Sequence, residues 1–145
     1  MPINMVKLPT SRKDLYFRVA KGHFATSRSH TNCYIDITVQ KTRLSEATAL
    51  AQEFVEMYRY KAPVDTILCL DGTEVIGTCI ANEMTRMELA NMNLHQTVYI
   101  VTPEHTSGSQ LIFRENILPM IKGKNVLILA ASVVTGFTAR GAVEA

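Results

Sequence analysis

The chain has 145 residues, 47% of them hydrophobic and 19% charged, which excludes an intrinsically disordered polymer and is enough for one packed core. Fifteen Lys and Arg against 13 Asp and Glu leave a formal charge of +2, too small to attract nucleic acid or an anionic membrane. The three cysteines, Cys33, Cys69 and Cys79, cannot close a disulfide framework, and the longest apolar run, Val126 to Ala131, falls far short of a membrane span.

Leu68, Leu70 and Ile80 flank two of the cysteines, which therefore read as reduced core thiols of a cytoplasmic protein; Met1-Pro2-Ile3-Asn4 carries no signal-peptide pattern. In the first forty residues, Thr10 to Ala20 suits a short helix, Ala25 to Asn32 a polar loop, and Tyr34 to Val39 alternates like a half-exposed strand. This stretch is too small for its own core, so it is expected as an appendage (residues 1–40) on a single domain whose α/β core spans 41–145.

Beyond it, strands and helices alternate. A helix is expected over Leu44 to Tyr60, N-capped by Thr42 and stopped by Pro63, with Leu44, Ala47, Ala51, Phe54 and Tyr58 on one stripe. A second helix covers Glu74 to Ala90, where Ile76, Ile80, Glu83 and Met87 recur at helical spacing. Val64 to Leu70, Gln96 to Val101 and Asn125 to Ala130 are strands whose centres are continuously apolar, the mark of a parallel sheet covered on both faces. The pattern is that of a doubly wound α/β sheet. Thr138 to Ala145 opens a helix that ends without cap or breaker, so the fold is expected to be incomplete at its C-terminus.

Open α/β sheets bind ligands beyond the carboxyl ends of their strands. Three loops qualify: Asp71-Gly72-Thr73, Thr102 to Gln110, and Ala131 to Phe137. In the last, Gly136 permits close backbone approach, Thr135 and Thr138 carry hydroxyls, and a helix start supplies free N–H groups, which together make a phosphate cradle. The same residues also suit an ordinary strand, turn and Thr cap.

Val126 to Thr138 resembles the phosphoribosyl-pyrophosphate loop of type I phosphoribosyltransferases: an apolar strand, two acidic positions, two apolar residues, then a Thr/Gly-rich loop. Gly22-His23-Phe24 and Ser27 to Asp36 resemble the N-terminal hood segment of the orotate branch. The resemblance implies a three-layer sandwich with a mostly parallel sheet and a hood over residues 1–40. It also implies a homodimer, Mg²⁺ as cofactor, and transfer of ribose 5-phosphate from phosphoribosyl pyrophosphate to a nucleobase. Position by position, Thr135, Gly136, Phe137 and Thr138 would surround the 5′-phosphate. Asp71, Gly72 and Thr73 would form the pyrophosphate loop, and Thr102 to Gln110 the mobile catalytic loop. Cys33, Tyr34 and Val134 would lie near the base.

The departures are chemical. The two acidic positions, which in the family accept from the ribose hydroxyls, are Ala130 and Ala131. Two charge-assisted hydrogen bonds contribute about 3–6 kcal/mol, on the order of 10²–10⁴-fold in binding or rate. The segment Pro103 to Ser109 lacks the family's Lys and Arg, leaving His105 as its titratable candidate, and the hood has lost the Lys before its Ser-Gly pair. Two functions therefore stand side by side: an orotate-type phosphoribosyltransferase of pyrimidine nucleotide synthesis or salvage, and a non-catalytic protein that binds a ribose phosphate or nucleoside monophosphate for regulation or assembly. A bare dimerising module is a third. The four histidines have no metal-ligand spacing, so no protein-held metal is expected; Ser132 lacks a nucleophile elbow, and no Gly-x-Gly-x-x-Gly follows the first core strand.

Overall fold

The computed structural model describes residues 3–26, 29–58, 63–90, 98–107, 110–133 and 135–145, the side chains of 87–90 and 105–107 excepted. The N-terminal region is an antiparallel meander of β1 (Val6–Pro9), β2 (Tyr16–Ala25) and β3 (His30–Asp36). The helix expected over Thr10 to Ala20 does not form. The Thr10 hydroxyl closes a turn by donating to the Arg12 and Leu15 carbonyls at 3.0 and 2.7 Å, and the aromatic and β-branched Tyr16, Phe17 and Val19 then pair in the sheet. The expected polar loop shrinks to a turn, because Phe24 pairs with Thr31 and Ala25 with His30. The register shifts between Lys21 and Phe24, where β2 carries a bulge containing Gly22 and His23.

The strand expected over Tyr34 to Val39 stops at Asp36. Its carboxylate accepts the Thr38 N–H at 2.9 Å and the Thr38 hydroxyl, bonds that hold it below the usual carboxylate range and turn the chain into α1 (Thr38–Thr42). Thr42 is not the N-cap of the next helix. It closes α1, donating to the Thr38 carbonyl at 2.7 Å, and the extended Arg43 leads into α2 (Leu44–Tyr58). Ala47, Ala51 and Val55 form the buried stripe of α2, with Phe54 and Tyr58 stacked beside it. Leu44, expected on that stripe, is 69% exposed at the helix start.

The core strand β4 (Thr66–Cys69) is followed by α3 (Glu74–Ala90), which bears Ile76, Ile80 and Glu83 on its buried side. Then come β5 (Tyr99–Val101), a hairpin of β6 (His105–Ser107) and β7 (Gln110–Ile112), a 3-10 turn at Leu118–Met120, β8 (Val126–Leu129) and α4 (Phe137–Glu144). β5, β4 and β8 form a parallel three-stranded sheet in that order, making the chain a mixed α/β structure. The expected strands over Val64 to Leu70, Gln96 to Val101 and Asn125 to Ala130 are thus present with shorter bounds; residues 96 and 97 lie outside the described set.

β4 is buried throughout because both its faces are covered, and the hydroxyl of its polar residue, Thr66, donates to the Met120 carbonyl. Ile67 and Cys69 pack with Ala47, Ala51 and Val55 of α2 and Ile76 and Ile80 of α3. Leu68 packs on the other side with Val101, Leu111 and Ala142, backed by Phe113, Ile117 and Met120. Burying a side chain of this size contributes about 1.5–3 kcal/mol. The meander is joined to the helices by polar contacts. Arg12 forks onto Asp14 at 2.6 and 2.9 Å and donates to Gln52 of α2 at 2.9 Å. Gln52 in turn reaches Glu83 of α3 at 3.5 Å, and Arg86 neutralises that buried carboxylate at 2.7 Å.

Gly77 faces β4 so closely that an added Cβ would lie 2.4 Å from the Cys69 Sγ. Gly77→Ala is expected to lower unfolding free energy by about 1–3 kcal/mol, and Cys69→Ala in the same chain to restore most of it, as read by urea denaturation. Burial and the nearby Glu74 charge push the Cys69 thiol up to about 11. At pH 8 Cys69 should therefore resist iodoacetamide while the half-buried Cys33 reacts, with sites read by peptide mass spectrometry.

Candidate functional site

The carboxyl ends of β4 and β8 lie side by side, about 4.8 Å apart as parallel neighbours, and the chain leaves each by a sharp turn. After β4, Asp71 (φ +56°) and Gly72 (φ +73°) are both left-handed. Glycine adopts that region freely and aspartate is among the few side chains that tolerate it. Thr73 locks this turn from beneath: it is 1% exposed, and its hydroxyl reaches the Leu70 and Leu129 carbonyls at 2.7 and 3.3 Å. Asp71 is braced twice, its carbonyl accepting from Lys41 Nζ at 2.9 Å and its carboxylate from the Ala131 N–H at 3.3 Å.

After β8 the chain runs through Ala130 to Thr135 to Gly136, the left-handed N-cap residue of α4 (φ +76°), which provides no capping side chain. The start of α4 carries the positive end of the helix dipole. Beside it lies a cavity of about 400 Å³, within the size range of small-molecule sites. Thr135, Gly136, Phe137 and Thr138 form one wall, and Ala130, Ala131, Ser132 and Val133 the floor. Leu70 and Asp71 close the β4 side, and Thr26 and Ser29 of the β2–β3 turn form the roof. In that turn the Thr26 hydroxyl meets the Ser29 hydroxyl at 2.9 Å and accepts the Ser29 N–H at 3.0 Å.

The structure brings together the expected phosphate residues Thr135 to Thr138, the alanine pair and Asp71. Gly72 and the inward-turned Thr73 shape the turn without lining the cavity. Cys33 and Tyr34 lie on β3, away from the cavity wall, where Tyr34 tilts against Phe24 at 5.6 Å. Val134 falls outside the described residues. The Thr102 to Gln110 segment holds β6 and the first residue of β7, a hairpin tied at its base by Arg114–Glu104 at 3.0 Å; His105 pairs there with Ile112, and its side chain is outside the described set. Sequence reasoning missed Thr26, Ser29 and Ser132. A Thr-x-x-Ser turn between two strands was the available signal for the first two.

Among the described lining residues Asp71 carries the one ionisable side chain, and among the described residues no three His, Cys, Asp or Glu side chains converge as metal ligands. No described helix is long and apolar enough to cross a membrane.

No protein-family model matches the chain, and no curated protein matches it in sequence. Among solved structures it is similar to Mycobacterium tuberculosis H37Rv orotate phosphoribosyltransferase in complex with Fe(III) dicitrate, with a TM-score of 0.53 and 15% identity. That similarity covers 87% of this chain and 67% of the other. The chain therefore has a phosphoribosyltransferase-like fold.

Gly123 and Gly136 share a left-handed φ, and neither has an atom within 4 Å of an added Cβ. Gly136→Ala and Gly123→Ala should each cost about 1–2 kcal/mol of stability from backbone strain alone, as measured by urea denaturation.

Proposed function

We propose that the cavity is a ribose 5-phosphate site and that the chain is an orotate phosphoribosyltransferase-like protein, taking phosphoribosyl pyrophosphate or a nucleoside monophosphate. The observation that carries this reading is the cavity beside the Gly136-led start of α4, which has no side-chain cap, at the carboxyl edge of a parallel sheet. A helix start beside a hollow, with the positive end of its dipole there, favours an anion. The Thr135 and Thr138 hydroxyls on the same wall add donors suited to phosphate oxygens.

In the orotate-type reaction the ribose C1–oxygen bond to pyrophosphate breaks and a base nitrogen takes its place. Bound Mg²⁺ would offset the charge of the departing pyrophosphate, and Asp71 is the lining carboxylate available to an ion that enters with the substrate. Asp71, with Gly72 and Thr73 shaping its turn, would face the pyrophosphate, and His105 would be the titratable group of the β6–β7 hairpin. The family's homodimer and three-layer sandwich belong to the same proposal.

A second reading is supported by one observation: Ala130 and Ala131 form the cavity floor where the family has its acidic pair. A non-catalytic binder of ribose phosphates needs the anion cradle but not those carboxylates.

Titration calorimetry with inorganic phosphate, ribose 5-phosphate and nucleoside monophosphates tests the site, and release of pyrophosphate from phosphoribosyl pyrophosphate with orotate tests transfer. Binding is expected, and should weaken in Gly136→Ala but not in Gly123→Ala; silence toward all three ligands would remove the proposal. Ala130→Asp with Ala131→Asp should tighten phosphoribosyl-pyrophosphate binding in the presence of Mg²⁺ by about 10²-fold, the low end for two charge-assisted bonds. An unchanged affinity would discredit the floor assignment.

A further inference from the structure

We infer that His23 and His30 form a two-imidazole site for a divalent transition-metal ion, which on binding clips β2 to β3 beside the turn that roofs the cavity. The site is separate from the proposed phosphate site and does not depend on it.

His30 Nδ1 lies 2.8 Å from His23 Nε2, with the ring centroids 4.8 Å apart and the ring planes at 66°. The two residues are seven apart in the chain, a spacing that suggests no metal pair; the hairpin creates the contact. Ala25 pairs with His30, and His23 stands two residues before Ala25 in the bulge, so the imidazoles meet diagonally across the ribbon. Two nitrogens held about 2.0–2.1 Å from one ion stand about 2.9 Å apart at a right angle and about 3.3 Å apart at the tetrahedral angle. The observed separation is close to that of neighbouring ligands on a square-planar or octahedral ion.

The facing nitrogens set the chemistry. Between two neutral imidazoles, one of these nitrogens donates a proton and the other accepts it. An ion takes the place of that proton and accepts the lone pairs of both His30 Nδ1 and His23 Nε2. Each ring then keeps its own proton on its other nitrogen, Nε2 of His30 and Nδ1 of His23, and both rings stay neutral. Imidazole suits Ni²⁺, Cu²⁺ and Zn²⁺, whereas Mg²⁺ prefers oxygen ligands. Both histidines are exposed, and among the described residues no three His, Cys, Asp or Glu side chains could hold a metal together. Water therefore fills the other coordination positions. Two ligands in place of the four of a structural site give a dissociation constant on the order of 10 µM.

The position gives the ion a mechanical effect. His23 and His30 bracket the turn in which the Thr26 N–H donates to the Ser29 carbonyl at 2.7 Å, and Thr26 and Ser29 line the cavity. An ion on both rings adds a cross-strand link at the foot of this turn.

Calorimetric titration of the full chain, without an affinity tag, with NiCl₂, ZnCl₂ and MgCl₂ tests the site. One Ni²⁺ or Zn²⁺ is expected to bind per chain and Mg²⁺ is not. His23→Gln and His30→Gln should each weaken Ni²⁺ binding by at least about 10-fold, the lower end for losing even a partner that only supports a ligand. Cys33→Ser, which removes the half-buried thiol of the same ribbon, should leave the affinity unchanged. In the unmodified chain, Zn²⁺ should shift the imidazole nitrogen resonances of His23 and His30 and not those of the other two histidines. It should also slow hydrogen exchange of the Thr26 amide by about 3-fold or more. Absence of Ni²⁺ and Zn²⁺ binding, affinity unchanged in the two histidine variants, or affinity lost in Cys33→Ser would overturn the site, as would Zn²⁺ shifts at the other histidines alone. Binding that leaves Thr26 exchange unaltered would overturn the clip.

Discussion

The parallel pairing of β4 with β8 is the constraint on which the site depends. Thr66 to Cys69 match Val126 to Leu129 residue for residue, and an aspartate at each end of β4 extends the match. Asp65 accepts the Asn125 N–H at 2.8 Å, and Asp71 accepts the Ala131 N–H at 3.3 Å, both across 60 residues of chain. A one-residue slip would exchange the two faces of β8. It would also remove Ala130 and Ala131 from the cavity floor and separate the β4 turn from the start of α4. The two carboxylates are thus register marks as well as charges.

The cavity is unusual for a site assigned to an anionic ligand. Its described lining residues offer hydroxyls, backbone groups, apolar side chains and one carboxylate, so the proposed attraction draws on backbone dipoles. Dipoles of this kind cost no side-chain entropy and act over a short range. Under the proposed reading they would hold a phosphate that has been delivered to them but add little to long-range capture, in keeping with a chain whose formal charge is +2.

The alternation of strands and helices and the apolar centre of β4 were legible in the sequence, because both rest on local periodicity. Ile76, Ile80 and Glu83 fall on the buried side of α3 as their spacing implies. The meander was legible only in part. Residues 10–20 carry enough helix-compatible side chains to mislead, and their strand identity comes from pairing Tyr16 to Val19 with Pro9 to Val6, a contact that periodicity does not report. Leu44 was misplaced because apolar spacing does not say where a helix meets its neighbours. Thr73, grouped with the pyrophosphate loop by resemblance, instead serves as a buried brace. Thr26 and Ser29 escaped notice because their place over the cavity follows from tertiary docking of the meander.

The bulge at Gly22–His23 gives that roof a geometry of its own. One extra residue in β2 resets which side chains of the outer half of the β2–β3 ribbon face the same way, leaving the inner half, Arg18 to Lys21 against Asp36 to Cys33, in regular register. The ribbon is therefore two segments of different register that meet at the bulge. Deleting one residue at this point would bring both segments into one register and exchange the faces of the outer segment, which carries Thr26 and Ser29, while leaving the base paired as it is.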